Sequence, residues 1–483
     1  MKKLFLLLFI LLLFSEANSQ KKLTCERLKV SDNCHFLVFE DGTPFFWLGD
    51  TGWEVFHRLN RNEAVGYLKK RKEQGFNIIQ AVLLSEFDGL NAPNEYGSLP
   101  LINSDPENLK ITPGNDTSKI NEYDYWDHAD FIIRKAEELG IYIGLLPCWG
   151  EYVIPREGRA IFNSVIQAYN FGNILGKRYH VRKNIIWILG GDRLPDERSN
   201  GLDLWRAMAK GIADGTNGVT DFKSKTDYTT TLMTYHCFAS SSQWFRNDEW
   251  LDFNMWGSYH SDYSITRAYE QSFTDWMLPD PKPTINGEPA YEEHAVNWLI
   301  NNGSFTSYDV RQIAYWSVFA GAFGHTYGCN PVWQFYDKNR NPITFANKFW
   351  QAALDDQGAN QMRYLRNLIE SRPMLERIPD QSVIIKGMGS GSNHCIATRG
   401  KNYIFIYIPT GYPVTIQMGT MQCDSVNASW YNPRTGESTK IGKYLNSGEV
   451  EFIPNGISKE LSWLKTGRGC DWVLVLDDPK SKK

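Results

Sequence analysis

Ile186-Trp187-Ile188-Leu189-Gly190-Gly191-Asp192-Arg193 is an apolar run that stops abruptly at two glycines and a carboxylate. So continuous a run reads as a strand buried on both faces, the mark of a parallel sheet covered by helices. The glycines allow a sharp turn at its end, so the acid is presented at the C-terminal mouth of the strand. Further on, Asn286-Gly287-Glu288-Pro289-Ala290-Tyr291-Glu292 repeats the arrangement, with Glu288 bracketed by Gly287 and Pro289. Glu292 competes with Glu288 for the same role, but its place after the strand end suits the opening of the next element.

Reading outward from these two stretches, buried strands alternate with amphipathic helices. After short leading strands at 28–30 and 36–39, strands are predicted at 45–51, 76–84, 141–149, 184–191, 228–235, 252–256, 282–286 and 323–327. Helices are predicted at 62–75, 125–139, 159–179, 204–213, 265–276 and 310–320. Eight strands with intervening helices make an α/β fold, a (β/α)8 TIM barrel, whose sites lie at the C-terminal mouth. The segment 85–121, rich in Asn, Pro, Gly and Asp, is far longer than an ordinary connection and reads as a loop over a site. From about residue 375 the rhythm changes to short strands at 382–386, 395–398, 403–407, 414–418, 428–431, 449–452 and 472–476, separated by turn residues. That is a small all-β sandwich. The expected organisation is a signal peptide at 1–19, the barrel with its leading strands at 20–375, and the sandwich at 376–483.

The first residues carry that signal. Lys2-Lys3, an apolar run from Leu4 to Phe14 and the small residues Ala17 and Ser19 form an export signal too short to span a bilayer. No Leu-x-x-Cys pattern ends the run, so the expectation is a lipid-free exported protein, periplasmic or extracellular, in a bacterium. No later segment is apolar enough for a membrane span. The chain has 483 residues, 42% hydrophobic and 22% charged, with net charge -4, which offers no footprint for nucleic acid. Its eight cysteines show no metal spacing, and Cys25 with Cys34 is the easiest disulfide to imagine. No metal cluster or Gly-rich phosphate loop accompanies the acids, so no cofactor is expected. Oligomeric state is not legible.

Two carboxylates at the mouths of strands four and seven are the minimum equipment for glycosidic cleavage: one protonates the leaving oxygen and the other attacks or activates water. With 17 Trp and 14% aromatic residues, the chain is also rich in the rings on which sugar faces stack. The partner expected on these grounds is a polysaccharide or oligosaccharide.

The order of the acids resembles the large barrel clan of retaining glycosidases, which implies Asp192 as acid/base and Glu288 as nucleophile. More specifically, Trp47-Leu-Gly-Asp-Thr-Gly-Trp53, Gly75-Phe-Asn-Ile-Ile79, Leu189-Gly-Gly-Asp192, Met255-Trp256 with Tyr259-His260, and Asn286 to Glu292 resemble glycoside hydrolase family 140, the apiosidases. The resemblance covers nearly all of the chain after the signal. It implies a barrel followed by a β-sandwich that carries a collagen-binding label, and action on apiose-containing side chains of the pectin rhamnogalacturonan II. Thr51-Gly52-Trp53 and Tyr235-His236-Cys237 depart from the pattern, which would show Ala before the Trp and a His pair.

Counting along the strands places Asp50, Trp53, Trp149, Glu151, His236, Trp256, His260, His325 and Tyr327 at the mouth as substrate-binding candidates. His260 is further expected to hydrogen-bond Glu288 and keep it ionised. Two alternatives remain: a retaining glycosidase for an arabinofuranoside or galactoside, or a non-catalytic carbohydrate-binding surface protein. The second would require one acid to be missing or misplaced.

Overall fold

The computed structural model describes residues 25–481 except 88, 120, 157–159, 263–264 and 456–468. The export signal read at 1–19 lies outside the described residues. Eight parallel strands, β1 (Trp47–Thr51), β2 (Ile78–Val82), β3 (Tyr142–Leu146), β4 (Ile185–Gly190), β5 (Met233–His236), β6 (Asn254–Gly257), β7 (Thr284–Glu288) and β8 (Gly324–Tyr327), form the catalytic sheet. One continuous ladder runs β8-β1-β2-β3-β4-β5, and β6 pairs with β7 in a second. Backbone bonds close the two seams, among them those from Asp252 N–H to the Met233 carbonyl (2.9 Å) and from Phe323 N–H to the Thr284 carbonyl (3.1 Å).

Almost every strand residue is buried, as expected for a parallel sheet with helices outside and side chains filling its interior. Trp47 and Trp256 fill that interior, each donating its indole N–H to a threonine hydroxyl, Thr326 and Thr284, at 3.1 Å. Three antiparallel strands, Leu28–Val30, Leu37–Phe39 and Pro44–Phe45, lead into the barrel.

Some boundaries differ from the sequence reading. The helix expected from 159 starts at Val165, where the Ser164 hydroxyl accepts the Gln167 N–H. The fifth strand starts only at Met233, because Asp227 turns the chain locally by accepting the Thr229 N–H and hydroxyl. A helix at Gln357–Glu370 and a strand at Ser438–Leu445 were not anticipated. Cys25 and Cys34 do not pair: the first is buried with its thiol toward the Ile141 carbonyl, and the second is exposed.

The C-terminal strands form two antiparallel sheets. Six run in the order Ile378–Pro379, Ile396–Arg399, Tyr403–Ile408, Trp472–Asp477, Ser425–Tyr431 and Ser438–Leu445; three run Ile384–Lys386, Val414–Gln417 and Glu449–Phe452. Ile404, Ile406, Ile416, Val426, Phe452 and Leu474 form the core that they share.

Helix Ser307–Phe319, which follows β7, joins the two parts. It is buried on every side, because its outer face packs on the C-terminal sheet. Tyr315 stacks on Tyr407 with centroids 4.8 Å apart, and Arg311 makes a two-pronged ion pair with Asp471 at 2.6 and 2.7 Å.

Candidate active site

Strand β4 ends in three consecutive left-handed residues, Gly190 (φ 90°), Gly191 (φ 119°) and Asp192 (φ 56°). A side chain at 191 would meet the Gly150 amide and the Trp149 ring within 3 Å, so the turn requires glycine there. The Gly191 N–H bonds to the His236 carbonyl at 2.9 Å, tying the mouths of β4 and β5 together. Asp192, a non-glycine residue held at positive φ, is thereby swung inward. Its Oδ1 accepts the Tyr259 hydroxyl at 2.5 Å. Burial, with the charge of Glu288 beside it, pushes its pKa up to about 6, against the pull of His236, Tyr259 and Arg193.

Strand β7 delivers Glu288 by another device. The β6–β7 ladder skips a residue between Asn286 and Glu288, a bulge centred on Gly287. A Cβ at 287 would meet the Met255 side chain at 2.6 Å, so glycine is what permits the bulge that re-aims the next side chain. His260 Nε2 lies 3.4 Å from Glu288 Oε1. The Tyr291 N–H donates to His260 Nδ1, which places that ring's proton on the nitrogen facing the carboxylate. His236 Nε2 lies 3.1 Å from Oε2, within ion-pairing range though off the hydrogen-bonding line. Burial alone would raise the Glu288 pKa, but the two imidazoles outweigh it and hold the carboxylate down to about 2. In return, Glu288 and Asp192 raise the pKa of His236 in spite of its burial.

One oxygen of Asp192, one of Glu288 and one nitrogen of His236 all lie within 4.8 Å of one another. Among the described residues this is the group that could hold a metal ion. The raised pKa of His236 opposes that use, since ligation requires the neutral ring.

Around the two acids lies a pit of about 110 Å³, well below the 300–1,000 Å³ typical of sites for drug-sized ligands. Trp53 and Trp149 line it with their rings edge to face, 5.5 Å apart, and Trp53 donates its indole N–H to the Tyr291 hydroxyl at 3.1 Å. His260 lines it also, while His236 packs behind against both Trp rings.

Six of the nine expected binding residues do not line the pit: His236, which packs behind it, and five that are placed elsewhere. Asp50 is fully buried in an ion pair with Arg71 (2.7 Å) and accepts the Tyr67 hydroxyl, so it faces the helix layer. Trp256 fills the barrel interior. His325 is fully buried, and burial lowers its pKa to about 3, leaving it neutral. Tyr327 donates to Glu292 at 2.6 Å, and Glu292 also accepts the Gly358 N–H; that acid therefore faces the outer helices and does not share the pit. Glu151 does not line the pit and lies 3.7 Å from the Arg193 guanidinium.

The pit has walls that strand counting did not supply. Tyr259 and Tyr291 lie within quoted motifs but were not singled out as binding residues, whereas Glu86 and Phe87 lie in a loop and Trp298 ends a short 3-10 turn. Glu86 stands just past β2, where the reasoning applied to the other strand mouths would have found it. Burial of its carboxyl, then the charges of Asp192, Glu54, Glu288 and Glu151, hold its pKa well above the carboxylate range, which favours its protonated form.

Comparison with known proteins agrees with this geometry. Residues 31–376 match the family "Apiosidase-like, catalytic domain", and residues 378–477 match "Putative collagen-binding domain of a collagenase". A solved structure described as a glycoside hydrolase is 36% identical, covering 95% of this chain and 98% of that one, with a TM-score of 0.82. A glycoside hydrolase family 5 protein from Bacteroides vulgatus ATCC 8482 is 35% identical over 94% of each chain, with a TM-score of 0.83. No curated protein sequence matches. The family match over most of the chain and two such relatives along nearly its whole length show that the chain belongs to the apiosidase-like family and is a glycoside hydrolase.

Proposed function

We propose that this glycoside hydrolase is a retaining enzyme that releases apiosyl units from side chains of rhamnogalacturonan II. The observation that carries the reading is a pair of carboxyl groups, Glu288 buried and Asp192 half-buried, with oxygens within 4.8 Å, whose pKa values are driven apart to about 6 and about 2. Retaining enzymes hold their two carboxyl groups about 5–5.5 Å apart, whereas inverting ones leave about 6.5–9.5 Å for a water molecule.

Asp192, protonated, gives its proton to the glycosidic oxygen while a Glu288 oxygen attacks the anomeric carbon. The C–O bond breaks, the leaving group departs as an alcohol, and the sugar is held as a Glu288 ester. Ester formation removes the Glu288 charge that had raised the Asp192 pKa, so Asp192 now favours its ionised form. It takes a proton from water, the hydroxide attacks the anomeric carbon, and Glu288 leaves as carboxylate. The pit suits a single small sugar such as a branched pentose, and the protonated Glu86 offers a donor to one of its hydroxyls. Export to the periplasm or beyond, proposed from Lys2-Lys3 and the apolar run after them, would bring the enzyme to a polymeric substrate.

The test is sugar release from rhamnogalacturonan II fragments and a panel of aryl glycosides, comparing the native enzyme with Asp192→Ala and Glu288→Ala. Apiose release that falls by about 10³-fold or more in both variants is the expected result. Release of a different sugar overturns the substrate, and turnover surviving in either variant overturns the residue assignment. The first-formed anomer, read by NMR, separates retention from inversion.

A further inference from the structure

Among the described residues, Trp298 is the one exposed tryptophan, at 46%. Phe87 is 54% exposed, and both rings line the rim of the pit. They come from loops that follow β2 and β7, strands linked across the barrel by Gln80 Nε2 donating to the Gly287 carbonyl at 2.9 Å.

Two further features set these rings apart from stray surface apolar residues. Each sits on left-handed backbone, at φ 53° for Phe87 and 58° for Trp298, a conformation that non-glycine residues seldom adopt and that gathers at functional sites. Each also leans by one edge on a ring inside the pit. Phe87 packs on Trp333 at 6.4 Å, while Trp298 packs on His260 at 5.4 Å and His294 at 5.6 Å. The rings are thus anchored on the pit and still about half exposed. Leu299 and Ile300, 58% and 61% exposed, extend the apolar strip away from Trp298.

The pit, at about 110 Å³, has room for one small sugar, so whatever is joined to a sugar seated there would leave past these rings. We infer that Phe87 and Trp298 form the leaving-group subsite, in which the sugar on the far side of the scissile bond lays its apolar C–H faces against the two rings. The inference rests on Asp192 and Glu288 being the reacting pair, and it does not depend on the released sugar being apiose. Rings fixed in place gain contact with little loss of freedom, which favours holding a bulky sugar in register with the Asp192 proton.

The test compares two leaving groups on the same sugar: an apiose-terminated oligosaccharide from rhamnogalacturonan II, and apiosyl fluoride, whose leaving group is too small to reach the rim. Phe87→Ala and Trp298→Ala should each lower kcat/KM on the oligosaccharide about tenfold more than on the fluoride, the difference appearing mainly in KM. Trp298→Phe should restore most of the loss. If the release panel identifies another sugar, the same two leaving groups on that sugar replace these, so an error in the apiose reading leaves the test intact. A calorimetric titration of Glu288→Ala with the oligosaccharide supplies a readout independent of turnover, in which adding Trp298→Ala should weaken Kd about tenfold. Equal losses on oligosaccharide and fluoride, or an unchanged KM and Kd, overturn the proposal.

Discussion

Asp192 and Glu288 carry the same functional group in one pit, and their surroundings pull the two apart. In the proposed mechanism Asp192 holds a proton to act as the acid, so activity should fall as pH rises through about 6, and Glu288 is ionised, so activity should fall as pH drops through about 2. Within the range where the fold survives, a pH profile of kcat/KM should therefore show a broad acidic plateau. Tyr259→Phe removes a hydrogen bond that lowers the Asp192 pKa, and should move the alkaline limb upward. His260→Ala removes a group that lowers the Glu288 pKa, and should move the acid limb upward as well. A profile in which the Tyr259 variant moved the alkaline limb down would contradict this account of Asp192.

At the scale of elements, the site depends on how two strands end. Gly287→Ala places a methyl group into the Met255 side chain at the β7 bulge, and should cost about 1–3 kcal/mol in urea unfolding together with a fall in kcat as Glu288 is displaced. Unchanged stability and kcat would show that the bulge tolerates a side chain. The buried runs that became β1 to β8 were legible because a continuous apolar stretch ending in glycine or an acid has few other readings. Side-chain direction at those ends was not legible. Asp50, Trp256, His325 and Tyr327 stand near strand ends as counted, but alternation within the strand turned them to the helix layer or the barrel interior, and spacing alone does not give that register. Ser438–Leu445 escaped notice because an edge strand with two polar faces shows no apolar alternation. The helix Gln357–Glu370 did carry a signal, with Met362, Leu365, Leu368 and Ile369 at helical spacing. Phe87 and Trp298 belong to loops, where no period points to them.

For the molecule as a whole, the barrel and the C-terminal sheets behave as one body through helix Ser307–Phe319. Arg311 and Asp471 are both fully buried, so removing one leaves the other charged in a low-dielectric interface. Asp471 would keep the Arg434 guanidinium at 3.5 Å and the Tyr407 hydroxyl at 3.1 Å. Arg311→Ala should therefore lower stability by about 2–4 kcal/mol by chemical denaturation, and a loss under about 1 kcal/mol would mean that these and the helix's other contacts hold the interface without Arg311. The small volume of the pit, about 110 Å³, bears on the polymer proposed as substrate more than on the protein. A recess that closes over one unit can reach branch tips but cannot straddle a backbone. As digestion proceeds, reducing sugar should accumulate while the viscosity of a pectin solution hardly changes, since no long chain is cut in two.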